Sequence, residues 1–411
     1  MNSHPQPTLD LNDPLLKEDP YSVYRTYRET QPVVWSEPLK AWVFFKYEDV
    51  NALLNDPRSS ANRAQSYLDR SPASRQAAIQ PIIEIISRWI LFLDGSDHIR
   101  LRKLVNHGFT QEVVAGLRPV IAEVVRELLD GLADRPQFDA STEFAYLVPV
   151  RVIADMLCVP PADHSSFQHW SDDTARFITS APITEAACDR ALASMQEMIA
   201  HLKAIVAERK AHPQDDFLSF LLQAEEAGEV LSAEDLLANL VLLLQAGHET
   251  TRNLIGNAVY QLLQRPQVLK QVQQNPALWG RVVDETLRYD SPVQIATRVA
   301  LDDMTIGGQP IAQGQLLYLV LGSANHDESH FSRADEFLLD REVEHHLAFG
   351  SGPHYCVGHY LAKAEATIAL EELFRRFPDL RLDPTMPKQW FDSTRFRGLQ
   401  SLPVLNETAE A

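Results

Sequence analysis

Residues 345–360 read HHLAFGSGPHYCVGHY and combine four histidines, three glycines and one cysteine in sixteen positions. A helical pattern begins directly after the cysteine, with VGHYLAKAEATIALEELFRRF at 357–377. The stretch fits three kinds of structure: a tight turn with Cys356 buried, a zinc site that Cys356 shares with nearby histidines, or a lone thiolate bound to an iron atom.

The composition of this stretch favours iron over zinc. Structural zinc normally takes four ligands from paired short spacings, often with two or more cysteines, and here there is one cysteine. A thiolate must stay deprotonated, and the positive end of the following helix favours the anion at Cys356. Because glycine has no Cβ, Gly350, Gly352 and Gly358 let the backbone approach a liganded sulfur closely. An axial thiolate on a haem iron is therefore the favoured interpretation.

The segment FGSGPHYCVG fits the F-x-x-G-x-x-x-C-x-G signature of the cytochrome P450 family at Phe349, Gly352, Cys356 and Gly358. The chain resembles this family, and further motifs of the family occur in the expected order. The resemblance implies a mainly α, single-domain cytochrome P450 fold with a small β portion and a long central helix over the haem. It also implies haem b as the cofactor, Cys356 as its metal ligand and O2 as co-substrate. Phe349, Gly350 and Gly358 are then cofactor-binding residues.

The stretch AGHETT at 246–251 interrupts a long apolar helical pattern. Gly247 inside a helix costs about 1 kcal/mol relative to alanine, so the stretch fits either a surface turn or a functional groove. In the groove, Thr250 bonds back to the carbonyl of Ala246 and helps to open the helix locally, leaving room for dioxygen. AGHET resembles the family's A-G-x-[DE]-T motif, which makes Glu249 the acid and Thr250 the alcohol that deliver protons for O–O cleavage. Ala246 and Gly247 then bind beside the cofactor.

Glu285 and Arg288, in DETLRYDSP, stand three residues apart on one helical face. Such pairs occur by chance on many exposed helices, but this one precedes an S-P turn and resembles the family's E-x-x-R element, a buried structural lock. Neighbouring motifs depart from the family: A-N-R-D reads ANHD at 324–327, and the usual proline and arginine of the next segment are Ala334 and Glu336. These departures leave the third partner of the lock open.

Four residues match family positions for cations that hold the haem propionates: His98, Arg102, Arg298 and His354. His98 and Arg102 are four residues apart and share one helical face. Arg298 lies in the strand-like QIATRVA, and His354 stands two residues before the cysteine. Any one of them fits an ordinary surface cation, but the set resembles the family's cofactor-binding group.

The composition of the whole chain is that of a globular protein able to bury a large core, with 411 residues of which 45% are hydrophobic. The formal net charge of −19 argues against nucleic acid or an anionic membrane as the main partner.

The opening MNSHPQPTLDLNDPLLKEDP has no basic or apolar region typical of a signal peptide, and no apolar run reaches the length of a membrane span. Three distant cysteines disfavour a disulfide framework. We expect a cytoplasmic monomer.

The chain reads as a single domain over residues 1–411 that is mostly helical beyond Asp94. Its predicted parts are a β-rich N-terminal part at about 30–60, a helical bulk at about 95–290, a β and meander section at about 293–345, and the cysteine loop with the last long helix at 346–377. Within the bulk, 3.6-residue periodicity covers 98–133, 140–158, 163–180, 185–210, 215–227, 233–264, 266–274 and 277–289.

The substrate pocket is expected to be largely apolar and to hold a lipophilic small molecule by few polar contacts. By family position, it takes in the 75–93 loop, including Trp89, together with Phe177, Ile178, Ala246, Val293, Ile295, Ala296 and Phe396. Core packing explains each of these residues equally well. A secondary-metabolite scaffold (polyketide, terpenoid or peptide) is the favoured substrate class, ahead of a fatty acid or a xenobiotic.

Electrons are expected from a separate ferredoxin and reductase. Arg100, Arg102, Lys103 and Lys363 lie on elements that flank the cysteine loop. Despite the negative net charge, we expect them to form a local basic patch for an acidic ferredoxin, although a random scatter of surface cations would look the same.

The sequence thus predicts a haem-thiolate monooxygenase that inserts one oxygen atom from O2 into a lipophilic small molecule by hydroxylation or epoxidation. The alternative from another functional class is a haem-thiolate sensor without turnover. Glu249 and Thr250 disfavour it, because a sensor needs no proton relay.

Overall fold

The computed structural model describes Leu9 and residues 13–179, 183–226, 232–342 and 345–406. Its α-helices are α1 Pro14–Glu18, α2 Pro20–Thr30, α3 Tyr47–Asn55, α4 Gln65–Arg70, α5 Ala73–Ile86, α6 Gly95–Val105, α7 Gln111–Asp130, α8 Leu147–Met156, α9 His164–Thr179, α10 Glu185–Ala211, α11 Phe217–Glu226, α12 Ala233–Leu263, α13 Pro266–Gln274, α14 Trp279–Tyr289, α15 Leu321–Ala324 and α16 His359–Arg376. Its β-strands are β1 Val33–Ser36, β2 Ala41–Phe44, β3 Ser59–Ser60, β4 Gln137–Asp139, β5 Ile295–Ala300, β6 Met304–Ile306, β7 Gln309–Ile311, β8 Leu316–Val320, β9 Arg381–Leu382, β10 Gln389–Trp390, β11 Leu399–Ser401 and β12 Pro403–Leu405. The prediction of a mainly α fold with a small β portion is confirmed. The predicted helix ends at positions 180 and 227 lie outside the described residues.

The chain forms two compact units. The first comprises Met1–Ala61, Asp284–Cys356 and Trp390–Gly398, and the second comprises Asn62–Val283, Val357–Gln389 and Leu399–Ala411. The prediction that residues 1–411 form one domain is not tested by this division and stays a prediction.

The first unit is built on a five-stranded sheet in the order β1-β2-β8-β5-β3. Strands β2 and β8 are parallel, and the remaining pairs are antiparallel. Alternate side chains fill two separate apolar clusters, because successive residues of a strand point to opposite faces. Phe44, Leu317 and Leu319 enter one cluster, whereas Tyr318 and Val320 enter the other. The apolar runs of the sequence therefore bury both faces of this sheet.

The second unit is built around α12, whose 31 residues span about 46 Å. The side chain of Ser232 caps it by accepting a hydrogen bond from the backbone N–H of Asp235 at 3.0 Å, and Glu234 and Asp235 lie in its positive first turn. Helices α8, α9, α10 and α16 pack against α12. Strands β4, β12 and β9 form a separate antiparallel sheet. None of the described helices is long and apolar enough to cross a membrane.

Two predicted segments differ from the structure. The predicted 75–93 loop is largely helix α5, which buries Ile79, Ile82, Ile83 and Ile86 at helical spacing and tolerates Pro81 within it. The predicted continuous helix over 98–133 is broken at Asn106–Phe109. There the chain turns tightly beneath a phenyl ring, since a Cβ on Gly108 would lie 2.1 Å from the Phe217 ring.

Candidate active site

The cysteine loop, residues 346–356, folds back on itself by backbone hydrogen bonds. The N–H of Gly350 donates to the carbonyl of Leu347 at 2.8 Å, and the N–H of Cys356 donates to the carbonyl of Phe349 at 2.9 Å. Gly350 and Gly352 have φ values of +73° and +69°, which favour glycine.

Gly352 is required for a second reason. A Cβ there would lie 2.5 Å from Oδ1 of Asn55 and 3.0 Å from the backbone oxygen of Leu54. Its role is therefore to let the loop pack on the end of α3, whereas the sequence argument assigned it to an approach toward the sulfur. Neither reason applies to Gly358. Its φ is −86°, and the nearest atoms to a Cβ there are those of Phe109 at 4.0 Å.

The three cysteine thiols differ in their surroundings. Cys188 is fully buried, and Sγ of Cys158 donates to Asp216 at 3.5 Å. Burial raises the pKa of both thiols, so both stay protonated. Cys356 is half-buried at the end of its loop. Among the described residues, no group of three or more histidine, cysteine or carboxylate side chains is placed to share a metal ion, and the zinc interpretation gains no support from them.

The predicted oxygen groove lies in the middle of α12. Ala246 is exposed and Gly247, Glu249 and Thr250 are half-buried, although the preceding residues 240–245 are buried. The hydroxyl of Thr250 donates to the carbonyl of Ala246 at 3.0 Å, as the sequence predicts. The expected local opening of the helix is absent, because α12 is regular through this turn. An open strip on an otherwise buried helix is the geometry that a groove for a ligand requires.

The carboxyl group of Glu249 sits in a mixed electrostatic environment. Burial raises its pKa, because the charged form is poorly solvated there. The basic side chains of His248, Arg252 and Arg176 oppose this effect on the pKa of Glu249, whereas Asp172 adds to it. A carboxyl group that holds its proton longer than usual can act as an acid near neutral pH.

The pair Glu285 and Arg288 is buried at the end of α14, with N–O distances of 2.8 and 2.9 Å. Arg288 also donates to the backbone oxygens of Asn325, Ala334 and Glu336 at 2.8–2.9 Å.

The third partner of the lock, left open by the sequence, is Arg341. Its Nε lies 3.2 Å from both carboxylate oxygens of Glu285. Ala334 and Glu336, which replace the usual proline and arginine, take part through their backbone oxygens. The altered side chains therefore leave the lock intact.

The predicted propionate partners fall into both units. His98, which is buried, and Arg102, which is half-buried, lie on α6 of the second unit. Arg298, which is buried in β5, and His354, which is half-buried, lie in the first unit together with Cys356. Nη1 of Arg298 donates to the carbonyl of Thr297 at 3.0 Å. Their contact with a cofactor stays a prediction.

The family model described as Cytochrome P450 matches residues 177–403. Cytochrome P450 107B1 of Saccharopolyspora erythraea is 37% identical over 406 residues, covering 97% of this chain and 98% of its own. The chain belongs to the cytochrome P450 family. The polyketide biosynthesis cytochrome P450 PksS of Bacillus subtilis is 34% identical over 394 residues, covering 94% of this chain and 95% of its own. The crystal structure of P450BioI in complex with hexadec-9Z-enoic acid ligated acyl carrier protein is similar at a TM-score of 0.88 and 35% identity, covering 96% of this chain and all of that one.

Several predictions are confirmed by this membership. The fold is the cytochrome P450 fold, the protein is a monooxygenase, and the family's cofactor is haem with a cysteine thiolate ligand, with O2 as co-substrate. The residues present fit this cofactor. They include one half-buried thiol on a loop held by two left-handed glycines, and an open strip beside a carboxyl and a hydroxyl group on α12. Bound haem supplies the redox chemistry that activates dioxygen.

The predicted pocket residues of the second unit are tightly packed. Trp89 and Phe177 are 1% and 0% exposed. The Trp89 ring lies 5.8 Å from that of Phe92, and Tyr67 contacts both Phe92 and Phe177 at about 6 Å between ring centroids. Nε1 of Trp89 is buried without a hydrogen-bond acceptor in the described part of the chain. Ile178 is half-buried.

The predicted pocket residues of the first unit divide by the faces of β5. Ala296 is half-buried and points to the same side as Arg298, because alternate residues share a face. Val293 and Phe396 are half-buried and joined by an isolated antiparallel bridge. Ile295 is buried in the apolar cluster on the opposite face, so it is not part of the pocket that we propose below.

The predicted basic patch is weaker than the sequence suggests. Arg100 lies 3.6 Å from Asp97 and 3.5 Å from Asp235, so its charge is partly compensated. Lys103 is exposed, and Arg102 and Lys363 are half-buried.

Proposed function

We propose that this P450 hydroxylates or epoxidises a lipophilic secondary metabolite, with Cys356 as the axial thiolate and Glu249 and Thr250 as the catalytic acid and alcohol. Phe349, Gly350 and Gly358 would bind the haem, as would Ala246 and Gly247. The cations His98, Arg102, Arg298 and His354 would hold its propionates. Glu285 and Arg288, with Arg341, keep the cysteine-bearing unit folded.

The observation that carries this proposal is the Thr250–Ala246 hydrogen bond on the open strip of α12. Because the Thr250 proton is committed to a carbonyl, Oγ1 presents its lone pairs and acts as an acceptor for a protonated ligand in the groove. Burial raises the pKa of Glu249, one residue earlier, and so favours the protonated form that can donate. Together the two side chains provide a donor and an acceptor for proton delivery.

A secondary-metabolite substrate is supported by the similarity to PksS, which takes part in polyketide biosynthesis. The proposed substrate-contacting residues are Trp89, Phe177, Ile178 and Ala246 in the second unit, and Val293, Ala296 and Phe396 in the first. These side chains are largely apolar and favour a lipophilic ligand. The unpaired Nε1 of Trp89 offers one directed polar contact.

A carrier-bound acyl chain is the second candidate substrate. It is favoured by the 35% identity to P450BioI, whose structure contains an acyl chain ligated to acyl carrier protein. For this candidate, the carrier protein supplies part of the contact area. The free fatty acid should therefore bind more weakly than the carrier-bound acyl chain.

We further propose a cytoplasmic monomer that receives electrons from a separate ferredoxin and reductase. Lys103 and the half-buried Arg102 and Lys363 support a docking surface of modest positive charge. Its contribution should weaken as salt screens exposed charges.

The test is an optical titration of the purified ferric protein with polyketides, terpenoids, fatty acids and aromatic compounds, each free and, for acyl chains, as carrier conjugates. A saturable Soret shift with a free polyketide or terpenoid supports the first candidate. A shift with the carrier conjugate alone supports the second. A protein that takes up no haem would overturn the proposal as a whole.

A further inference from the structure

His248 stands between Gly247 and Glu249 on α12 and is 2% exposed. Its Nδ1 lies 2.8 Å from the carbonyl oxygen of Leu244. Since a carbonyl can only accept, Nδ1 carries a hydrogen, and Nε2 is the nitrogen left to meet other groups. Nδ1 also lies 3.5 Å from the hydroxyl of Ser171, at the limit of a hydrogen bond.

Nε2 of His248 faces a carboxylate from another helix. It lies 3.6 Å from Oδ1 of Asp172 on α9, an ion-pair distance. The same oxygen accepts a hydrogen bond from the hydroxyl of Tyr146 at 3.1 Å. Burial, followed by the charge of Asp172, raises the pKa of Tyr146 far above the working range, so the phenol remains a donor. The carboxylate is thereby fixed opposite the imidazole ring.

Tyr146 is placed by an irregular turn. The N–H groups of Ala145 and Tyr146 donate to the carbonyls five residues earlier, Ala140 and Ser141, at 2.9 Å, which defines a π-helical turn at Ser141–Ala145. Such turns are frequent at functional sites. The Tyr146 ring meets the His248 ring edge-on at 5.9 Å, and the guanidinium of Arg252 lies over it at 4.8 Å. The turn therefore holds the phenol between α9 and α12.

This geometry favours a second proton on the His248 ring. If His248 were neutral, with its hydrogen on Nδ1, the lone pair of Nε2 would point at the negative oxygen of Asp172. A second proton makes both nitrogens donors, one to Leu244 and one toward Asp172. We propose that His248 is a positioning residue for Glu249: Asp172 and Tyr146 hold it as an imidazolium, and this buried cation stabilises the carboxylate that Glu249 becomes when it gives up its proton. The inference rests on the proposed role of Glu249, which regains its proton from water.

The direction in which the pKa of Glu249 moves when Asp172 is removed distinguishes the proposal from a direct effect of Asp172. Arg252 on the same helix and Arg176 on α9 also favour its carboxylate, whereas the charge of Asp172 itself disfavours it. If Asp172 acts directly on Glu249, its removal lowers the pKa of Glu249. If Asp172 acts by keeping His248 charged, its removal raises that pKa, as removal of His248 does.

The experiment measures, without added substrate, the fraction of consumed O2 released as H2O2 between pH 5 and 9, with a surrogate ferredoxin and reductase driving the holoenzyme. The proposal predicts that His248→Gln and Asp172→Asn both move the midpoint of this profile upward by about one pH unit, since loss of a neighbouring opposite charge shifts the pKa of a carboxyl group by that order. Asp172→Glu, which restores the carboxylate, should return the midpoint toward the wild-type value. A downward shift in Asp172→Asn, or no shift in His248→Gln, would overturn the proposal.

Two further variants distinguish an error in the proposed role of Glu249 from an error in the proposed role of His248. Glu249→Gln should abolish the transition, and if the transition persists, the proposed role of Glu249 is wrong instead. His169→Gln is the matched control, because His169 is an exposed histidine on α9 that pairs with the neighbouring Asp173 at 3.4 Å. It should leave the profile unchanged.

A spectroscopic readout is independent of turnover. In the diamagnetic ferrous carbonyl form of enzyme labelled with [15N]histidine, the His248 ring, assigned by its loss in His248→Gln, should show two protonated nitrogens at pH 7. Asp172→Asn should remove one of these protons. A ring that is neutral in the wild type would refute the proposal.

Discussion

Replacing Gly352 by alanine should destabilise the cysteine loop while leaving the thiol in place. An L-residue at its φ of +69° costs about 1–2 kcal/mol. The new Cβ would also lie 2.5 Å from Oδ1 of Asn55 and 3.0 Å from the backbone oxygen of Leu54. The Asn55 side chain can turn away only by losing its 3.0 Å hydrogen bond to Ser351, worth about 1 kcal/mol. We expect the free energy of unfolding to fall by about 2–4 kcal/mol.

Gly358→Ala is the matched control for this variant. Its φ is −86° and a Cβ there meets nothing closer than 4.0 Å, so the free energy of unfolding should fall only by the about 1 kcal/mol that alanine costs at the N-cap of α16. If the start of α16 binds the haem as proposed, the affinity of Gly358→Ala for haem should also fall.

The assay is urea unfolding followed by far-UV circular dichroism, with haem retention measured by transfer to apomyoglobin. A Gly352→Ala protein as stable as the wild type would refute the reasoning. If Gly358→Ala keeps its haem but loses more stability than Gly352→Ala, then Gly358 stabilises the fold and its assignment to haem binding is wrong.

Three further predictions concern the thiolate, the alcohol and the lock. Cys356→Ser should lose the thiolate-type Soret band of the reduced carbonyl form, and a retained band would remove Cys356 as the ligand. Thr250→Ala should bind substrate with an unchanged spin shift yet release several-fold more H2O2 per O2 consumed, because the acceptor for a protonated ligand is gone; unchanged coupling would contradict its role. Arg341→Ala should lower the free energy of unfolding by about 3 kcal/mol, since it leaves Glu285 with one cation fewer in a buried site. Arg333→Ala, which breaks an exposed ion pair nearby, should cost less than about 1 kcal/mol in the same urea titration, and equal losses would count against the lock.

Long helices with unbroken periodicity could be predicted from the sequence closely. The predicted helix over 233–264 is Ala233–Leu263, and that over 266–274 has the same bounds in the structure. Helix α5 was missed although its isoleucines have helical spacing, because the 75–93 segment was taken as a loop from family position and not from its own periodicity. The helix also contains Pro81. The tertiary packing of one apolar face outweighs the hydrogen bond that proline removes.

The residues that carry recognisable motifs could be predicted, whereas their partners could not. The pairing of Glu285 with Arg288 follows from helical spacing, but Arg341 reaches the same carboxylate from an irregular segment with no periodicity to read. His248 and Asp172 meet across two helices, and nothing in either helix marks the contact in advance. The position of Ile295 could be predicted from the sequence. It lies three residues before Arg298 in β5, and residues an odd number apart in a strand point to opposite faces of the sheet.

The parallel pairing of β2 with β8 joins residues 41–44 to residues 316–319. The first unit is thus assembled from segments separated by more than 220 residues of the second. At about 5–20 residues per second, synthesis of the roughly 270 residues between β2 and β8 leaves the β1–β2 hairpin without its neighbour for roughly 14–55 seconds. Throughout that time the edge of β2 that will pair with β8 is an open template for other chains. Yield during expression should therefore depend on how fast the ribosome reaches β8, and slowing translation between positions 62 and 283 should increase aggregation without changing the finished enzyme.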